Sequence, residues 1–266
     1  MHPFVYHRAT SLDEARKTLQ VAEDGLYLAG GMTLIPTMKQ RLAMPSDLVD
    51  LARIEDLRGI ADEGSTLRIG AMTPHAAVAS SETVRSRIAA LADLAGGIGD
   101  PAVRARGTLG GSIANNDPAA DYPAAVLGLG ATVVTDAREI AGDDFFTGMF
   151  ETALAPGEII TAVRFPVPRR AAYVKFPNPA SRYAVVGVFV AETAEGVRVA
   201  VTGAAPCVFR VAEMEAALAT DFSATAVADI PVDADDLNED IHASRAYRAH
   251  LVTVMAKRAV EKALRA

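Results

Sequence analysis

Thr108-Leu109-Gly110-Gly111-Ser112-Ile113-Ala114-Asn115-Asn116-Asp117-Pro118-Ala119-Ala120-Asp121 is the stretch around which the chain is read. Its adjacent glycines let backbone N–H groups turn toward a ligand with no Cβ in the way. Just beyond, Asp121 is placed to cap a helix whose first turn holds Pro123, where a missing N–H does no harm. A glycine turn running into a helix N-terminus is a recipe for holding phosphate. One Gly-Gly pair alone also fits an ordinary tight turn. A second copy, Leu28-Ala29-Gly30-Gly31-Met32-Thr33-Leu34-Ile35-Pro36, moves the reading toward a ligand site.

Around that copy, residues 26–29 read as a short buried strand and Thr33 as the N-cap of a helix. Leu34, Ile35, Met38 and Leu42 follow at helical spacing, Pro36 lies in the tolerated first turn, and Pro45 stops the helix. Residues 48–51 read as another strand. Gly97-Ile98-Gly99 and Gly128-Leu129-Gly130 begin a GxGxxG pattern but lack its third glycine, so a Rossmann fingerprint is absent.

Elsewhere, Ser11 caps a helix, and residues 66–70 form a strand that begins a second lobe. Residues 71–75 turn into a helix over 76–79, with His75 a turn or capping residue. A helix over 82–96 buries Val84, Ile88, Leu91 and Leu94 and leaves Arg85 and Arg87 in water. A strand covers 131–135. Asp143 and Asp144 have no partner at a useful spacing and read as solvated. Pro156-Gly157-Glu158 turns into a strand over 159–165, and Pro166-Val167-Pro168-Arg169-Arg170 marks a domain boundary. Strands over 172–176, 184–192 and 197–203 follow, then helices over 211–219 and 244–264. The last helix turns Tyr247, Leu251, Val254 and Met255 inward.

Composition narrows the function. With 266 residues, 50% of them apolar, the chain can build one or two packed domains. A net charge of −7 argues against nucleic-acid and anionic-membrane surfaces, though backbone amides can still supply a local positive field for a pyrophosphate. No apolar run is long enough to span a bilayer and the N-terminus has no signal-peptide core, which makes the cytoplasm the expected compartment. Cys207 is the only cysteine, so the chain can neither form an internal disulfide nor ligate an iron–sulfur cluster alone. The five histidines show no metal-binding spacing, so no metal site is expected. No Gly-x-Ser-x-Gly elbow or His–acid pair suggests a catalytic residue.

The two glycine segments resemble the AGGxSLxP and TxGGSxxxxxPxxD motifs of the FAD-binding medium subunits of molybdenum hydroxylases. That family includes the medium subunit of aerobic carbon monoxide dehydrogenase and the flavin domain of xanthine dehydrogenase. The lead-in from Ile98 to Gly107 and the segment from Asp240 to Leu251 resemble the same family, so the likeness covers essentially the whole chain. Met32 and Thr33 depart from it, standing where relatives often carry a different polar residue and Ser.

The resemblance implies an α+β fold. A two-lobed FAD-binding domain of the vanillyl-alcohol-oxidase-like (PCMH) type would cover 1–168, with lobes of about 1–57 and 58–168. A smaller domain over 169–266 would carry an antiparallel three-stranded sheet with helices. It implies non-covalent FAD contacted by Tyr27, Leu28, Ala29, Gly30, Gly31, Met32, Thr33, Leu34, Ile98, Thr108, Gly110, Gly111, Ser112, Asn115, Asp121, Ile160 and Lys175. The glycine segments would hold the pyrophosphate from opposite sides of a cleft between the lobes. Asp121 would accept from a ribose or ribityl hydroxyl, although helix capping alone accounts equally well for its position. Lys175 would sit near the flavin ring, the alternative being a surface lysine at a strand end. Tyr183 would close over a ring face or serve as an ordinary core or surface tyrosine.

The implied role is electron transfer. Electrons would arrive from an iron–sulfur small subunit and leave for an external acceptor (NAD, a quinone or oxygen). Substrate would be hydroxylated on a molybdenum-cofactor large subunit, the whole forming a dimer of heterotrimers. A stand-alone FAD-dependent oxidase or dehydrogenase of the same fold is the alternative, and a flavin-free interaction module a third. Met32 stands where many such oxidases tether FAD through a histidine.

Overall fold

A computed structural model describes residues 1–265; Ala266, the last residue of the expected 169–266 unit, lies outside the described residues. The first lobe is a three-stranded parallel sheet in the order Val5–Arg8, Asp47–Asp50, Gly25–Leu28. Parallel neighbours need crossovers, and the helices Leu12–Val21 and Leu34–Lys39 lie in those connections. Ser11 caps the first of them, its hydroxyl accepting from the Glu14 amide. Thr33 stands at the start of the second but is helical itself and makes no side-chain cap bond. This helix also stops at Lys39, well before Pro45, with Arg41 in the left-handed region.

The second lobe is an antiparallel sheet in the order Ile60–Asp62, Thr66–Gly70, Ile160–Pro166, Thr132–Thr135, Glu139–Ala141. Short helices cover it. The helix expected over 82–96 breaks into Glu82–Arg87 and Ala89–Gly96 at Ile88, whose φ of −142° leaves the helical region. Ile88 is nevertheless buried with Val84, Leu91 and Leu94, because the break keeps the apolar face on the core. Arg87 pairs with Asp62 instead of standing free in water. Asp143 likewise pairs with Arg198 and Arg210 from the far sheet.

The third sheet, antiparallel, runs Arg170–Pro177, Ala184–Thr193, Gly196–Thr202, with a two-residue fourth strand at Phe209–Arg210. Residues Ala184 to Ala191 are all buried because this strand is covered on both faces. Phe189 and Ala191 join the second-lobe core, while Val186, Val188 and Val190 meet the helices Ala212–Thr220 and Arg245–Ala263. The long helix turns Leu251 and Met255 inward as expected. Tyr247 is instead exposed, and Arg248 takes the buried position. Arg248 is accommodated by donating to the carbonyls of Val185 and Gly203 and to Asp240, as a buried guanidinium requires.

Candidate functional site

A cavity of about 700 Å³ opens between the first two lobes and the loop 180–183. Such a volume suits a substantial organic ligand. Fifteen of the seventeen expected contacts line it: Tyr27, Ala29, Gly30, Gly31, Met32, Thr33, Leu34, Ile98, Thr108, Gly110, Gly111, Ser112, Asn115, Asp121 and Ile160. Tyr183 lines it too. Leu28 and Lys175 do not. Leu28 underlies Gly31, where a Cβ would stand 3.3 Å from its Cδ1. The Lys175 amine is turned onto the Gly97 carbonyl at 2.9 Å and the Asp121 carboxylate at 3.0 Å.

The two glycine segments pack on each other. A Cβ at Gly30 would fall inside the van der Waals contact of the Arg106 carbonyl oxygen, and one at Gly111 would stand 3.3 Å from Ala29 Cβ. Their hydrogen bonding differs. Gly31 has a φ of +73°, favourable only to glycine. Among the described residues, the amides from Gly30 through Leu34 find no acceptor. Ungated donors of this kind along a cavity wall form an anion-binding concavity.

The second segment is no turn before a helix. Gly110 and Gly111 lie inside the first turn of Leu109–Asn115, which Thr108 caps by accepting from the Gly111 amide at 3.1 Å. Gly110 donates to the Ala71 carbonyl at 2.8 Å, and a Cβ on it would stand 2.6 Å from Ala71 Cβ. This segment therefore offers the cavity the side chains of Ser112 and Asn115 more than its amides.

Asp121 does not cap its helix either. Its carboxylate is buried and takes the Tyr173 hydroxyl at 2.5 Å and the Lys175 amine. Burial pushes this carboxyl up, and Lys175 and Tyr173 pull it back. Tyr27, its hydroxyl on the Gly157 carbonyl, is pushed up to about 12 by burial and by Asp136.

Two lining residues escape a sequence reading. His75 is buried, not a capping group: its ring lies 5.3 Å from that of Tyr122, and burial with the nearby Arg104 lowers it to about 4, so it is neutral. Glu158 is held down at about 2, chiefly by Arg138, with help from the Ala155 amide and Thr135. Asp100 caps Pro101–Arg106 at the cavity edge, accepting from the Val103 amide. That helix was legible in Asp100-Pro101, a cap followed by proline at the first helical position.

A cleft between a parallel and an antiparallel lobe, walled by two glycine segments and carrying a run of open amides, defines a binding protein for a phosphate-bearing cofactor. Residues 2–168 match the model of the FAD binding domain in molybdopterin dehydrogenase. The carbon monoxide dehydrogenase medium chain of Hydrogenophaga pseudoflava is 35% identical over 98% of this chain and 96% of its own. The nicotine 6-hydroxylase medium subunit of Paenarthrobacter nicotinovorans is 34% identical over 97% and 96%. A solved Cu,Mo-CO dehydrogenase chain superposes with a TM-score of 0.90 at 34% identity, covering all of both chains. The chain belongs to the family of FAD-binding medium subunits of molybdenum hydroxylases. It is an oxidoreductase component whose cofactor is FAD. The open amides of the first segment fit a pyrophosphate, and the unpartnered Ser112 and Asn115 side chains fit a polar ligand. Among the described residues, no group of three His, Cys, Asp or Glu side chains could hold a metal ion, and no helix is long and apolar enough to cross a membrane.

Proposed function

We propose that this chain is the electron-transfer subunit of a cytoplasmic molybdenum hydroxylase, working with an iron–sulfur small subunit and a molybdenum-cofactor large subunit in a dimer of heterotrimers. The observation that carries the proposal is the run of unpaired amides from Gly30 through Leu34 along the inter-lobe cavity, in a chain similar from end to end to medium chains of such enzymes. When bound, FAD supplies a carrier that takes electrons one at a time and releases them in pairs.

The chain's own residues bind and shield it. The amides of the first segment take the pyrophosphate, with Ser112 and Asn115 opposite. Asp121 accepts from a cofactor hydroxyl, while Ile98, Ile160 and Tyr27 keep water off the ring system. Lys175 acts through Asp121, and Leu28 by supporting Gly31. Met32 offers no covalent tether, so the cofactor is held non-covalently. The division of labour follows the boundary near residue 168: residues 1–168 bind FAD, and 169–266 close the cavity with the loop 180–183. With one cysteine, the chain depends on a partner for its electrons. Its relatives are named for carbon monoxide and for nicotine, so the substrate is set by the large subunit, and the acceptor stays open.

The test is the purified chain loaded with FAD. It should release one flavin per chain on acid denaturation, show no iron–sulfur bands, and oxidise no hydroxylase substrate. Steady-state turnover of carbon monoxide, a purine or an N-heterocycle by the lone chain would contradict the subunit reading.

A further inference from the structure

Tyr173 lies off the cavity lining, yet its hydroxyl makes a buried bond of 2.5 Å to Asp121 Oδ1. Room for that hydroxyl is made on the neighbouring strand. A Cβ at Gly187 would fall inside the van der Waals contact of Tyr173 Oη, so glycine there keeps the seat open. Tyr173 and Lys175 are two apart on the strand Arg170–Pro177 and share a face. Both therefore reach one carboxylate, with Lys175 also anchored on the Gly97 carbonyl. Of the three, only Asp121 lines the cavity. A carboxylate kept for capping would bond the amides of its own helix; Asp121 makes no such bond.

We propose that Tyr173 is a positioning residue for cofactor binding: seated against Gly187, its hydroxyl fixes the Asp121 carboxylate toward the cavity, where it accepts from a sugar or ribityl hydroxyl of the cofactor. The proposal rests on the reading that the cavity holds FAD. The groups facing Asp121 are Tyr173 and Lys175 from the third sheet, Tyr183 from the loop, and Tyr122 from its own helix; Asp117 shares the cavity lining. Lys175 and Tyr173 are the two that oppose the effect of burial on the carboxyl. Loss of the Tyr173 hydroxyl removes one of them and favours the protonated acid, which no longer accepts on both oxygens.

The experiment measures FAD affinity of the full chain by flavin fluorescence across a series from acid to mildly alkaline pH, since burial raises the Asp121 carboxyl. Wild type, Tyr173→Phe, Asp121→Asn and Lys175→Gln are compared, with thermal unfolding of each apo protein. Tyr173→Phe should bind about tenfold more weakly, as expected for one hydrogen bond to a charged group. The acid limb of its affinity profile should move up by about one pH unit. Asp121→Asn should abolish that limb. Lys175→Gln should move it in the same direction and further. Where Tyr173→Phe fails to fold, Gly187→Ala, whose Cβ would displace the Tyr173 hydroxyl, should weaken binding and move the limb likewise. An unmoved limb there overturns the positioning role. A Tyr173→Phe profile with the wild-type shape, weakened equally at every pH, overturns the positioning role. A wild-type chain that binds no FAD at any pH overturns the flavin reading itself, so the two failures are distinct.

Discussion

In the segment after the strand Gly25–Leu28, the amides from Gly30 through Leu34 have no acceptor among the described residues, whereas Gly110, Gly111 and Ser112 in the other segment all donate within the protein. Both carry a Gly-Gly pair after an apolar residue, and both line one cavity. In the first, Gly30 packs on the Arg106 backbone, but Gly31 serves conformation, with a φ of +73°, and the donors stay open. In the second, glycine serves close packing, Gly110 against Ala71 and Gly111 against Ala29. A glycine pair therefore does not reveal by itself whether its backbone serves a ligand or a neighbouring segment.

The largest effect should come where the two segments touch. Gly30→Ala drives a Cβ into the Arg106 carbonyl, a backbone atom that cannot swing aside. Unfolding free energy should drop by about 3 kcal/mol or more, the upper end for overpacking, with flavin lost alongside; denaturant titration measures it. A near-wild-type midpoint would mean that the segments do not pack as described.

Acid should act first on the second segment. His75 accepts no charge easily: its folded value of about 4 lies below the ordinary 6.5. The unfolded chain binds the proton more tightly, so stability is full above the ordinary value and falls as pH drops from about 6.5 to about 4. The span corresponds to about 3 kcal/mol. His75→Phe should flatten that slope in denaturant titrations at several pH values. His75 donates its backbone amide to the Gly107 carbonyl, next to Thr108, so the same acid loosens this wall before the other. An unchanged slope in His75→Phe would remove His75 from the acid response.

A smaller effect separates cap from cradle. Thr108→Ala removes the acceptor of the Gly111 amide and should cost about 1 kcal/mol of stability. Flavin affinity should change less than it does on Gly31→Ala, which forces an L residue to a positive φ at about 1–2 kcal/mol. The reverse order in affinity would make the second segment the principal phosphate holder.

Much of this was legible in the residues. Ser11 caps its helix as a hydroxyl before an amphipathic run should. The strand Thr66–Gly70 and the hairpin of Ala184–Thr193 with Gly196–Thr202 follow from apolar patterning. What was hidden depends on partners far along the chain. Asp121 looks like a cap because nothing local shows Tyr173 and Lys175 more than fifty residues away. Arg248 counts as polar in any periodicity, and only the Val185 and Gly203 carbonyls and Asp240 make its burial affordable. His75 reads as a turn residue until Tyr122 and Gly107 close over it.

The most direct measurement is amide hydrogen exchange, residue by residue, on the full chain with and without FAD. The amides from Gly30 through Leu34 should exchange fast in the apo protein and become strongly protected when FAD is added. Those of Gly110, Gly111 and Ser112 should already be protected without it and change little. Protection that appears on Gly110 to Ser112 while Gly30 to Leu34 stay fast would contradict the assignment of the first segment as the cradle.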